Sequence, residues 1–150
     1  MNKIYSVHYD RVDLLELQYF SIKNHLKNDF ELIIINNAKD ENIKLEINNI
    51  SNKLNLKVFY GNGTSGLAGE HHQQALNNCW QSECIKNKNY LWILDGDVFL
   101  LQDIDINSFM KNHVIAGARQ NRKPNYNYLT PCVVIFDMNK LPEPELINWS

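Results

Sequence analysis

Asp95 and Asp97 stand one residue apart behind the apolar run Leu91-Trp92-Ile93-Leu94, with Gly96 between them and Val98-Phe99-Leu100-Leu101 beyond. Two ionised carboxylates this close repel each other and resist desolvation, so a bound cation is their natural compensation. On an extended strand, residues two apart face the same way with Cα atoms roughly 6.5 to 7 Å apart, within reach of one hydrated ion. Glycine at position 96 removes a side chain and lets a ligand approach the backbone. Carboxylates select hard cations such as Mg²⁺ or Mn²⁺, whose usual partner is a diphosphate. The same residues also suit a β-hairpin, because Asp-Gly flanked by apolar runs is a turn signal that would pair 91–94 against 98–101. Spacing alone leaves both readings open.

The elements that must position this pair can be read from the apolar periodicity. A first strand over 3–8 leads into a helix carried by Leu14, Leu15, Leu17, Phe20, Ile22 and Leu26, with Asp10 or Asp13 as its cap. The β-branched run 30–35 stops at Asn36-Asn37, and Asp40 opens a second helix through Ile43, Ile47, Ile50 and Leu54. A third strand, 56–59, runs into the glycine-rich stretch 61–69, followed by a helix from about 70 to 85. The strand 91–94 is apolar on both alternating faces, as a strand buried between two layers must be. After it the pattern predicts a short helix at 106–111, a strand at 114–118, a polar loop at 120–127, a strand at 128–136 and an irregular tail. Strand-helix repeats of this kind imply an α/β domain, a mainly parallel sheet with helices on both faces. Ligands then sit outside the carboxyl ends of the strands, here His8-Tyr9, Asn36-Asn37, Tyr60-Gly61 and Asp95-Gly96-Asp97.

Composition narrows the classes of partner. The chain has 150 residues, 44% of them hydrophobic, which suits a single domain, 1–150, with a workable core. A net charge of −2 and a pI near 6.2 supply no basic footprint, so a nucleic-acid partner is not expected. No run approaches the roughly 20 apolar residues of a membrane span, and the start lacks a signal-peptide core, so the expected setting is cytoplasmic with no transmembrane segment. Cys79, Cys84 and Cys132 have no zinc-type spacing and read as reduced structural thiols. Sequons at Asn49, Asn62 and Asn148 follow from the abundance of Asn.

The polar exit after the first strand, the strand ending in Asn36-Asn37, the helix behind the glycine-rich loop and Leu94-Asp95-Gly96-Asp97-Val98 together resemble a GT-A glycosyltransferase. Such an enzyme is a nucleotide-diphospho-sugar transferase with an Asp-x-Asp motif. The stretches Ile115-Ala116-Gly117-Ala118-Arg119-Gln120 and Tyr128-Leu129-Thr130-Pro131-Cys132-Val133-Val134-Ile135-Phe136-Asp137 are similar to the strands that follow that motif, so the likeness spans nearly the whole chain. It implies a Rossmann-like GT-A fold with its C-terminal, acceptor-binding part short or missing. It also implies transfer of a sugar from a nucleotide diphosphate donor to a hydroxyl on a carbohydrate, protein or lipid acceptor, with Mn²⁺ or Mg²⁺ as cofactor. Carried over by residue, Asp97 ligates the metal and Asp95 contacts the ribose, or the metal through water. The donor lies against His8, Tyr9, Asn36, His72, Asp95 and Gly96, with Asn36 standing where related enzymes often carry an acid. His72 and Asn77 are similar to a His-x-x-Ala-Leu-Asn stretch near the donor in some of these enzymes. No catalytic base is assigned.

Other residues have plainer readings beside functional ones. The stretch 61–69 holds Gly-x-Gly without the full dinucleotide or Walker register, and is a flexible loop beside the donor or a simple connection. Arg119 and Arg122 suit a phosphate or a solvated loop. Trp80, Trp92 and Trp149 read as packing aromatics, although Trp149 has the chemistry to stack on a sugar. A nucleotide-sugar binding module without turnover, or a truncated inactive relative, is the first alternative function. A haloacid dehalogenase-like phosphatase with Asp95 as nucleophile is the second.

Overall fold

The computed structural model of the chain describes residues 1–64, 66–123 and 126–149, with side chains except at 120–123, 126–128 and 131. Six strands and four helices follow in the order β1 (Asn2–His8), α1 (Asp13–His25), β2 (Phe30–Asn36), α2 (Glu41–Lys53), β3 (Lys57–Tyr60), α3 (Ala68–Ser82), β4 (Tyr90–Asp95), α4 (Ile106–Met110), β5 (Ile115–Lys123) and β6 (Tyr126–Asp137). Short 3-10 turns at Cys84–Lys86 and Pro144–Leu146 complete the described elements.

The strands form one sheet in the order β3-β2-β1-β4-β6-β5. β1, β2, β3 and β4 are parallel, whereas β6 runs antiparallel to both β4 and β5. The sheet is therefore mixed, parallel from β3 to β4 and antiparallel at β6 and β5, where a mainly parallel sheet was expected. The antiparallel part comes from β6, which runs against β4 and β5, and its pairing with β5 extends into the stretch 120–127, expected as a polar loop. Asn121 and Lys123 instead pair with Asn127 and Tyr126 in an antiparallel ribbon, while residues 124 and 125 lie outside the described set. Polarity marks a loop only when both faces of the segment need burial, and an edge ribbon has no such need.

Both faces of the central strands are covered, which is why their sequences are apolar without alternation. Ile4, Ile34 and Trp92 turn toward α1, α2 and α4 and pack with Leu15, Ile22, Ile47, Ile106 and Met110. Their neighbours Tyr5, Ile35 and Ile93 turn the other way, onto Ala75, Leu76 and Trp80 of α3. Helices thus lie on both faces, as expected.

Local details differ where tertiary contacts override the sequence signals. Asp40 caps α2, accepting from the backbone of Asn42 at 2.8 Å and Ile43 at 3.1 Å. At α1 neither proposed aspartate caps: Val12 occupies the cap position, and Asp13 takes both guanidinium contacts from Arg11, at 2.9 and 2.7 Å. α3 opens at Ala68, ahead of Glu70, and stops at Ser82. Cys79, Cys84 and Cys132 are free thiols, with the first two sulfurs 3.8 Å apart. Among the described residues, no helix is long and apolar enough to cross a membrane.

Candidate functional site

The strand register brings the polar strand ends side by side. His8 is paired with Asn36, Asn36 with Tyr60, and Val7 with Asp95. Backbone bonds continue past the strands: Asn37 N–H donates to His8 O, Gly61 N–H to Asn36 O and Gly96 N–H to Val7 O, at 2.9 to 3.0 Å. Chain direction along the sheet reverses at β1, whose neighbours are β2 on one side and β4 on the other. The carboxylates therefore lie at the switch point, where α/β sheets open a crevice.

Asp95 is the last residue of β4, and the chain then turns: Val98 N–H donates to Asp95 O at 3.1 Å. Residues 98–101 form no strand, and β4 pairs instead with β1 and β6, so the hairpin reading is corrected. Strand pleating does not align the two carboxylates either. Asp95 is half-buried at the strand end and Asp97 is exposed on the turn, so the turn brings them to one crevice. Gly96 fits where nothing larger does: a Cβ there would lie 2.8 Å from His8 Nδ1 and 2.9 Å from Val7 O.

His72, in the first turns of α3, reaches Asp95 from the other side, with Nε2 3.4 Å from Oδ1. That oxygen is shielded from solvent and accepts no hydrogen bond. Burial pushes the nearby Cys132 thiol above its ordinary pKa, opposed by its hydrogen bond with Thr130 and reinforced by Asp95 and Asp97. His8 is buried, and burial lowers its pKa to about 4, against the raising influence of Gln18 and Asp97. It is a neutral imidazole at physiological pH. His8, His72, Asp95 and Asp97 line a cavity of about 200 Å³ together with Tyr9 and Arg11.

A second cavity of about 340 Å³ opens at the ends of β2 and β3. Asn36 lines it, but its side chain is occupied: Nδ2 donates to Lys44 O and Asn48 Oδ1, and Oδ1 accepts from Ala38 N–H. The Asn36 amide thereby ties β2 to α2 while it lines this cavity. Its neighbour Asn37 holds a buried Oδ1 with no partner, and His71 a buried Nδ1 with none. Burial and the adjacent Lys39 lower the His71 pKa. His71 also meets the Tyr9 ring edge-on, with centroids 5.8 Å apart. Adjacent helical positions diverge by about 100°, so His71 lines the larger cavity and His72 the smaller one.

Of the residues read from sequence, His8, Tyr9, His72, Asp95, Gly96 and Asp97 converge on one crevice. Trp149 does not join them. It packs against Trp80 and Phe136, with centroids 5.6 and 6.1 Å away, so sugar stacking is replaced by a core role. Arg119 is exposed on edge strand β5, and the side chain of Arg122 lies outside the described residues. Sequence reading gave no role to Gln18 or His71, and named Asn37 only as part of a strand end. Gln18 had left a signal, standing four residues from both Leu14 and Ile22 on the apolar face of α1, where a polar residue needs partners.

Among the described residues, no group of three or more His, Cys, Asp or Glu side chains is arranged to enclose an ion. Two carboxylates, one with a buried oxygen that accepts no hydrogen bond, fit an ion of the Mg²⁺ type, which keeps waters and completes its shell with substrate phosphates. Compared with known proteins, the chain matches no family model and no curated relative.

Proposed function

We propose that the chain is a metal-dependent glycosyltransferase of GT-A type, moving a sugar from a nucleotide diphosphate donor to a hydroxyl acceptor. One observation carries this reading: the Asp95-Gly96-Asp97 turn sits at the switch point of the sheet, beside two cavities that open at the same strand ends. Asp95 and Asp97 would hold Mn²⁺ or Mg²⁺, and the ion, when bound, neutralises charge on the departing nucleotide. The chain supplies the rest. His72 stands against Asp95, Gly96 lets the His8 ring pack directly on the turn, and neutral His8 walls the crevice without adding charge. The nucleoside would occupy the larger cavity, where Asn37 Oδ1 and His71 Nδ1 await partners. A cytoplasmic setting belongs to the same reading, supported by cysteines that are unpaired.

The test is calorimetric titration of a panel of nucleotide sugars with and without Mn²⁺, comparing wild type with Asp97→Asn. Metal-dependent donor binding, weakened at least tenfold by the substitution, is the expected outcome. Binding that survives Asp97→Asn unchanged removes the metal site from the reading. Donor binding without any release of nucleotide over a long incubation identifies a binding module instead of an enzyme.

A further inference from the structure

Gln18 is buried in α1, far in sequence from the carboxylate turn, yet both of its amide hydrogens are directed at that turn. Nε2 donates to Asp95 O at 2.8 Å and to Val98 O at 2.9 Å, gripping the two carbonyls at either end of the segment that carries Asp95 and Asp97. With both hydrogens so placed, Oε1 is left as a pure acceptor. It takes the Ser6 hydroxyl at 2.6 Å, which directs the Ser6 proton away from His8. His8 Nε2 lies 3.2 Å from both Ser6 Oγ and Gln18 Oε1, and each of these oxygens can only accept from it. The ring nitrogen there must carry the hydrogen.

We infer that Gln18 is a positioning residue for the donor site, fixing the carboxylate turn and the tautomer of His8 with one amide. His8 carries its hydrogen on Nε2 and turns Nδ1, a bare acceptor, toward the Gly96 backbone at the wall of the crevice. A neutral amide suits this position because it supplies two donors and an acceptor at once without adding charge beside the carboxylates. The role in ligand binding rests on the glycosyltransferase reading. The hydrogen-bond pattern itself does not.

The experiment uses two readouts on the full chain. Nitrogen-15 NMR of histidine-labelled protein distinguishes the protonated from the bare ring nitrogen of His8. Mn²⁺ binding in the presence of uridine or guanosine diphosphate is followed in wild type and in Gln18→Met, which keeps the volume but removes every hydrogen bond. The expected result is Nε2–H in wild type, a mixed tautomer population in Gln18→Met, and at least tenfold weaker Mn²⁺-dependent nucleotide binding. Hydrogen on Nδ1 in wild type overturns the inference even if the variant does not fold. So does a folded Gln18→Met with tautomer and binding unchanged. A wild type that binds no Mn²⁺ nucleotide, but whose tautomer shifts on substitution, overturns the functional reading while supporting the control of His8 by Gln18.

Discussion

His72 Nε2 lies 3.4 Å from Asp95 Oδ1, joining the first turns of α3 to the end of β4 across the candidate crevice. Both side chains are about one-quarter exposed, so solvent screens their attraction and its contribution to stability is small, below about 1 kcal/mol. His72→Ala is accordingly expected to unfold in urea within about 1 kcal/mol of wild type. Nucleotide binding with Mn²⁺ should weaken severalfold, since Asp95 loses the group that stands against it. A loss of stability above 2 kcal/mol would show the pair to be structural.

Gly96→Ala is the sharpest steric test of the turn. The added Cβ would meet His8 Nδ1 at 2.8 Å and Val7 O at 2.9 Å, one a ring held at its far nitrogen and the other backbone. Neither can retreat freely, and overpacking of this kind costs about 1–3 kcal/mol. Gly66→Ala is the control, with nothing within 4 Å of the added atom and an expected change within about 0.5 kcal/mol. Equal stabilities for the two variants would contradict the close packing of His8 on the turn.

His8 makes stability depend on pH in a stated direction. Its pKa falls from 6.5 to about 4 on folding because burial disfavours the imidazolium. Between those values the unfolded chain binds a proton that the native protein does not, so stability rises with pH across this window and is lost as pH falls from 6.5 toward 4. The gap corresponds to on the order of 3 kcal/mol. Urea unfolding at pH 7.5 and pH 5 should show the loss in wild type, and His8→Gln should flatten it. A slope that is the same in both proteins would assign the acid sensitivity elsewhere.

Trp149 separates packing from sugar binding. Its ring joins Trp80 and Phe136 in the core beneath α3, and its backbone N–H donates to Asn77 Oδ1 at 2.9 Å. Trp149→Ala is expected to lower stability by about 2–4 kcal/mol in denaturant titration. Nucleotide binding by the protein that remains folded should be unchanged. Selective loss of binding at full stability would restore a ligand role.

Much of the fold could be read without coordinates wherever a segment carried its own periodicity. The runs at 3–8, 30–35 and 91–94 became β1, β2 and β4, and Asp40 capped α2 as its position implied. Legibility failed where long-range pairing decided. The polar stretch 120–127 joined an edge ribbon that tolerates polarity, and the apparent hairpin at Asp95-Gly96 vanished because β4 is flanked by β1 and β6. Asn36 and Asn37 look equivalent in sequence, yet α2, packed against β2, takes up the first amide, while the Oδ1 of the second accepts no hydrogen bond.

The alternating strand and helix order, the burial of the central strands on both faces, and two carboxylates at the exit of a strand are all written in the local pattern of residues. These follow from side-chain period and polarity, which are properties of neighbouring residues. Tertiary structure alone decided that β1 lies between β2 and β4, which puts His8 against Gly96, and that His72 approaches Asp95 from across the crevice. It also set Gln18 beneath a turn nearly eighty positions away, through bonds to Asp95 and Val98. A hydrogen bond needs atoms within about 3 Å, and which distant segments come that close depends on the sheet order and the packing of helices across it.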